Sequence, residues 1–199
     1  MPLHLLMRQT RVVSEMADLQ IMLAGFGGQG ILFAGKLIAY SGLIDGRELS
    51  WLPSYGPEMR GGTANCSVCL SDAPIGSPLV VDPDILIAMN VPSFNRFVEA
   101  VKPGGIILVD STIADVCCMR DDVQFYRVPA TQLSEEHNLQ TLANVILVGR
   151  LLKLTEFTCA SSLDTAIDKS VSAKRIDLVN FNKQAWRLGY EFTDLKECG

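Results

Sequence analysis

Leu19-Gln-Ile-Met-Leu-Ala-Gly-Phe-Gly-Gly-Gln-Gly30 is the stretch that decides the fold. Residues 19–24 form a short apolar run, the pattern of a parallel strand buried on both faces. The run stops at a glycine cluster, and Ile31 to Tyr40 then reads as a helix by length and composition, ending near Gly42. Gly25, Gly27 and Gly30 fit a G-x-G-x-x-G pattern between strand and helix. Such glycines let a backbone approach an anion, and the helix start offers unpaired N–H groups at the positive end of its dipole.

Outward from that unit, a second strand is expected at Arg47 to Leu52, followed by a loop marked by Pro53, Gly56, Pro57, Gly61 and Gly62. A third strand spans about 63–71 and closes in the turn Asp72-Ala-Pro-Ile-Gly76. Asp84 to Met89 reads as a fourth strand, with Pro92 suited to the first turn of the helix after it. Lys102-Pro-Gly-Gly105 ends that helix, Ile106 to Asp110 is a fifth strand, and Val123 to Val128 a sixth. Helices are expected at 141–154, 161–170 and 173–190. The alternation specifies the α/β class: a three-layer α/β/α single domain with a mostly parallel, Rossmann-like sheet. It occupies residues 18–192, between an N-terminal extension (1–17) and a C-terminal tail (193–199).

Composition narrows the function. With 199 residues the chain fits one full-sized core. Its 48% hydrophobic content means a large core or apolar surface reserved for a partner. A net charge of −5, with no Lys/Arg run to offset it, argues against nucleic acid. No apolar stretch approaches the roughly 18–20 residues of a membrane span, and the N-terminus lacks a secretory pattern, so the expected location is cytoplasmic. Reduced thiols are then the default for the six cysteines. Cys66 and Cys69 have C-x-x-C spacing, but a strand points positions i and i+3 to opposite faces. With no second pair at ligand spacing, no metal site is expected. His4 and His137 suggest no catalytic pairing.

The glycine turn alone would suggest a dinucleotide site, but its usual companion is missing. Dinucleotide enzymes place a carboxylate about 20 residues on, at the end of the second strand. Here that strand ends Leu49-Ser-Trp-Leu-Pro53; Glu48 comes too early, and Asp45 falls in the preceding turn. The loop Ser54-Tyr-Gly-Pro-Glu-Met-Arg-Gly-Gly62 is more informative. It is expected at the carboxyl end of the second strand beside the glycine turn, where open α/β sheets bind ligands, with Arg60 able to clamp a phosphate or carboxylate.

Together, Gly25-Phe-Gly-Gly-Gln-Gly-Ile31 and Ser54-Tyr-Gly-Pro-Glu-Met-Arg-Gly-Gly-Thr-Ala64 resemble the gamma subunit of 2-oxoacid:ferredoxin oxidoreductases. The resemblance continues through Ser71 to Gly76, Asp84 to Asn90, Gly104 to Ser111 and Asn144 to Gly149. It implies a multi-subunit enzyme of anaerobic metabolism that decarboxylates a 2-oxoacid to an acyl-CoA and reduces ferredoxin. The chain has neither a Gly-Asp-Gly segment with a following Asn nor a cysteine cluster for iron–sulfur ligation. The resemblance therefore puts thiamine diphosphate, Mg2+ and the clusters on alpha-, beta- and delta-type partners, and leaves this chain inactive alone. Its implied share is assembly and contact with coenzyme A, through Gly25, Phe26, Gly27, Gly28, Gln29, Gly30, Ser54, Tyr55, Arg60, Gly61 and Gly62. Trp51-Leu-Pro and Met59 resemble subunits for branched-chain 2-oxoacids such as 2-ketoisovalerate, with 2-oxoglutarate as runner-up. A stand-alone NAD(P)- or flavin-binding oxidoreductase and a purely structural subunit remain the alternatives.

Overall fold

The computed structural model describes residues 18–54, 63–139, 141–172 and 174–193. Within these residues, six strands form one sheet: β1 (Leu19–Phe26), β2 (Glu48–Ser54), β3 (Thr63–Ser71), β4 (Ile85–Ala88), β5 (Ile106–Asp110) and β6 (Gln124–Val128). The order across the sheet is β2-β3-β1-β4-β5-β6. β1, β4, β5 and β6 are parallel neighbours, whereas β3 runs antiparallel to both β1 and β2. The sheet is thus mostly parallel, with one reversed strand inserted between β1 and β2. β2 lies at an edge, where Pro53 costs least because a missing N–H breaks no interior ladder.

Among the described residues, six helices accompany the sheet: α1 (Ile31–Ile44), α2 (Val91–Phe97), α3 (Ala130–Glu136), α4 (Ala143–Thr155), α5 (Ala160–Ser170) and α6 (Ile176–Glu191). The three layers are of unequal thickness. The larger core joins Ile21 and Leu23 of β1, Cys66 and Val68 of β3, and Ile85 and Ile87 of β4 to side chains from α1, α3, α4, α5 and α6. The smaller core, on the opposite face, gathers Met22, Cys69, Leu86, Ala88, Ile107 and Val109 under Phe94 of α2, Val80 and Val101. Among the described residues, only α2, a 3-10 turn (Val98–Ala100) and irregular segments cover that face.

Two corrections to the sequence reading follow. Residues 130–136, which include the charged pair Glu135 and Glu136, form the helix α3; its buried positions, Ala130 and Ser134, are small, so the apolar pattern is faint. The last helix starts at Ile176 and the one before it at Ala160, a few residues from the expected bounds. The opposite orientation of Cys66 and Cys69 is as expected: they lie in the two different cores. Burial pushes the Cys66 thiol up to about 12.

α4 is the central helix, buried without interruption from Ala143 to Leu152. A helix buried on every side belongs between other layers, and α4 lies between α6 and the sheet. α4 and α6 meet through reciprocal glycines. A methyl group on Gly149 would stand 1.9 Å from the Trp186 carbonyl oxygen, and one on Gly189 would stand 1.8 Å from that of Ile146.

Asp45, just past α1, ties α1 to α5. Its carboxylate accepts hydrogen bonds from Thr158 Oγ1 (2.5 Å), the Cys159 N–H (3.0 Å) and Ser162 Oγ. It thereby anchors the start of α5, whose own N-cap residue makes no side-chain cap. Asp45→Ala is expected to cost about 2 kcal/mol, seen as a melting temperature lower by about 4–8 °C. An unchanged melting curve would mean these bonds are dispensable.

Candidate functional site at the carboxyl edge of the sheet

β1 leads through α1 toward β2, whereas β4 leads through α2 to β5 on the other side. The chain therefore parts between β1 and β4, and open α/β sheets bind ligands in such a crevice at their carboxyl ends. The glycine turn sits there. Gly25 and Phe26 end β1, Gly27 and Gly28 are exposed, and Gly30 is the N-cap of α1 in the left-handed region (φ 73°). No acidic residue occupies the first turn of α1.

Gln29 spans the crevice. Its Oε1 accepts from the Phe26 N–H (2.6 Å), and its Nε2 donates to the Met89 carbonyl (2.9 Å), joining the ends of β1 and β4. Asn90 Nδ2 donates to the same Oε1 (3.4 Å), and Asn90 Oδ1 caps α2 by accepting from the Ser93 N–H (2.8 Å). Asn144 of α4 donates to the Gly30 carbonyl (2.9 Å). It also closes the space a side chain at position 30 would need, since a methyl there would lie 2.5 Å from Asn144 Nδ2. Asn90 and Asn144 thus hold the turn in place.

At the end of β5, buried Asp110 accepts from the Thr112 N–H (3.2 Å), the Thr131 N–H (3.2 Å) and Thr131 Oγ1 (2.5 Å). This fixes α3 against the edge. Between the glycine turn and α3 opens a cleft of about 520 Å3. Met89, Ile113 and Ala143 give it apolar walls; Thr131, Ser134 and Thr141 add hydroxyls, and Glu135 the one charge among its described lining residues. Gly28 and Gln29 belong to the same lining. The residues from α3 and the turn after β5 were not legible as site residues, because they reach the cleft only through the placement of β6.

Ser54, the last residue of β2, is exposed and pairs with Asn65, which in turn pairs with Ala24 of β1. Thr63 pairs with Phe26. Both anchors of the 55–62 connection therefore stand at the glycine-turn edge. Tyr55, Arg60, Gly61 and Gly62 themselves lie outside the described residues.

The carboxylates weighed for a ribose are not at this edge. Asp45 follows the far end of α1 and is occupied with α5, and Glu48 opens β2 at the amino edge. The inserted β3 also sets β2 one strand further from the glycine turn. Among the described residues, no group of three or more His, Cys, Asp or Glu side chains converges to hold a metal ion. No helix among them is long and apolar enough to cross a membrane.

A glycine turn at the switch point of a mostly parallel sheet is the arrangement of nucleotide-fold α/β domains, in which ligands generally take the carboxyl edge. Residues 20–192 match the model of the pyruvate ferredoxin/flavodoxin oxidoreductase family, and the chain belongs to that family. The ketoisovalerate oxidoreductase subunit VorA of Methanothermobacter marburgensis is 40% identical over 140 residues, which are 70% of this chain but 29% of that one. The 2-oxoglutarate synthase subunit KorC of Methanocaldococcus jannaschii is 37% identical over 86% of this chain and 92% of its own. Among solved structures, the gamma subunit of a keto/oxoacid ferredoxin oxidoreductase from Geobacter sulfurreducens superposes with a TM-score of 0.74 at 26% identity, covering 87% of this chain and 96% of that one.

Proposed function

We propose that the chain is the gamma subunit of a multi-subunit 2-oxoacid:ferredoxin oxidoreductase, and that its carboxyl edge contributes to binding coenzyme A. The enzyme oxidatively decarboxylates a 2-oxoacid to an acyl-CoA and CO2 and passes two electrons to ferredoxin. The observation that supports the coenzyme A assignment is that the glycine turn and both anchors of the 55–62 connection stand at one edge of the sheet. The glycine turn leads into the start of α1, and Ser54 and Thr63 are the anchors. Helix starts favour phosphates, and Arg60 adds a charge that can bond one bidentately.

Thiamine diphosphate, Mg2+ and the iron–sulfur clusters belong in this reading to alpha-, beta- and delta-type subunits. Cys66 and Cys69, despite their C-x-x-C spacing, face opposite sides of the sheet and so do not point to one shared cluster. The names of the relatives support 2-ketoisovalerate or 2-oxoglutarate as the substrate. Anaerobic purification of the tagged chain from its native cell tests the reading. Larger subunits carrying iron and thiamine diphosphate should accompany it, with coenzyme A-dependent viologen reduction on one of those oxoacids. A lone chain with a tightly held dinucleotide would contradict it.

A further inference from the structure

The cleft between the glycine turn and α3 differs in character from the turn itself. Its volume of about 520 Å3 is that of a small-molecule site. Met89 and Ile113 give it apolar walls, and Thr131, Ser134 and Thr141 give it hydroxyls. Glu135 is its one charge, and among the described residues no lysine or arginine lines it. A phosphate or a second carboxylate placed there would meet a like charge with no cation to offset it. The cleft therefore suits an uncharged, partly apolar portion of a ligand that carries N–H or O–H donors.

The backbone between α3 and α4 adds to this. Asn138 (φ 54°) and Thr141 (φ 60°) both lie in the left-handed region. Asparagine tolerates it, whereas a β-branched residue adopts it at a cost, and such strain collects where ligands are gripped. Thr141 is the strained residue that lines the cleft. Two residues on, α4 opens at Ala143, also in the lining, without a side-chain cap. The first N–H groups of a helix suit a carbonyl oxygen, as a carboxylate suits an N–H. An anionic acceptor and backbone donors in one apolar cleft match a secondary amide.

We infer that this cleft receives the pantetheine arm of coenzyme A while the phosphates stay at the glycine turn. The inference rests on the coenzyme A reading above and settles which part of that molecule lies where. The nucleotide end carries a pyrophosphate and a 3′-phosphate, all of one sign with Glu135. The arm is uncharged, and it has amide groups, a hydroxyl and geminal methyls. The start of α1, with no acidic residue in its first turn, is the place for the phosphates. Gly28 and Gln29 belong to both the turn and the cleft lining, so one ligand can span the two.

The test uses the assembled enzyme, purified anaerobically, in hydrogen–deuterium exchange with coenzyme A and with pantetheine, which lacks every phosphate. Coenzyme A should slow exchange in both 25–34 and 130–143, and millimolar pantetheine in 130–143 alone. Glu135→Ala, at an exposed position, should raise the KM for coenzyme A about tenfold, the loss of one hydrogen bond to a charged group. It should also abolish the protection by pantetheine and leave the melting curve of the chain unchanged. Coenzyme A protection confined to one of the two segments overturns the inference, as does pantetheine that protects 25–34 or protects nothing. An unchanged KM in Glu135→Ala overturns it too. With coenzyme A still protecting 25–34, each of these results leaves the coenzyme A reading intact. Coenzyme A that protects neither segment contradicts that reading itself, and the arm's place with it.

Discussion

Gly149→Ala and Gly189→Ala are each expected to destabilise the chain by about 3 kcal/mol, the upper range for forcing extra volume into a packed core. Local helix energetics point the other way, because alanine in a helix interior is favoured over glycine by roughly 1 kcal/mol. The sign of the effect therefore decides the matter. At both positions the added methyl would meet backbone of the opposing helix below 2 Å, so a rotamer change cannot relieve it. α4 and α6 must move apart, and α4 is buried along ten consecutive residues. Thermal melts should fall by about 6–12 °C for each variant. The double variant should cost less than the sum, since the helices separate only once. Stabilisation by either substitution would mean that the two helices do not approach this closely.

Arg60→Ala is expected to raise the KM for coenzyme A of the assembled enzyme by about 10- to 100-fold, with kcat little changed. A charge-assisted hydrogen bond to a phosphate contributes roughly 1.5–3 kcal/mol, and each 1.4 kcal/mol is a factor of ten. Arg60→Lys should recover part of the loss, because an ammonium keeps the charge without the planar fork. The assay is coenzyme A-dependent viologen reduction with the oxoacid saturating. An unchanged KM in a complex that assembles normally would remove Arg60 from the site. The chain would then serve assembly alone.

The glycine-turn unit was legible because three local signals agree there: an apolar run of strand length, glycines, and a helical continuation. β4 and β5 were legible for the same reason, as compact apolar runs closed by Asn90 and Asp110. The strand order was not. Nothing local says that β3 turns back between β1 and β2; that is settled by pairings such as Leu23 with Cys66 and Trp51 with Val68. α3 stayed hidden because it is seven residues long and its buried positions are an alanine and a serine. The site follows the same division. The glycines at 25–30 could be read from spacing, whereas the role of Gln29 as a bridge between strand ends depends on Met89, 60 residues away. The inequality of the two faces was visible only as an apolar surplus in the composition.

The most direct test of the central claim is hydrogen–deuterium exchange on the assembled enzyme with and without coenzyme A. Peptides spanning residues 25–34 and 54–63 should exchange more slowly when coenzyme A is bound, while peptides over Leu79 to Val81 and Met119 stay unchanged. A complex that turns over coenzyme A with no protection in either carboxyl-edge segment would contradict the claim that this edge contributes to its binding.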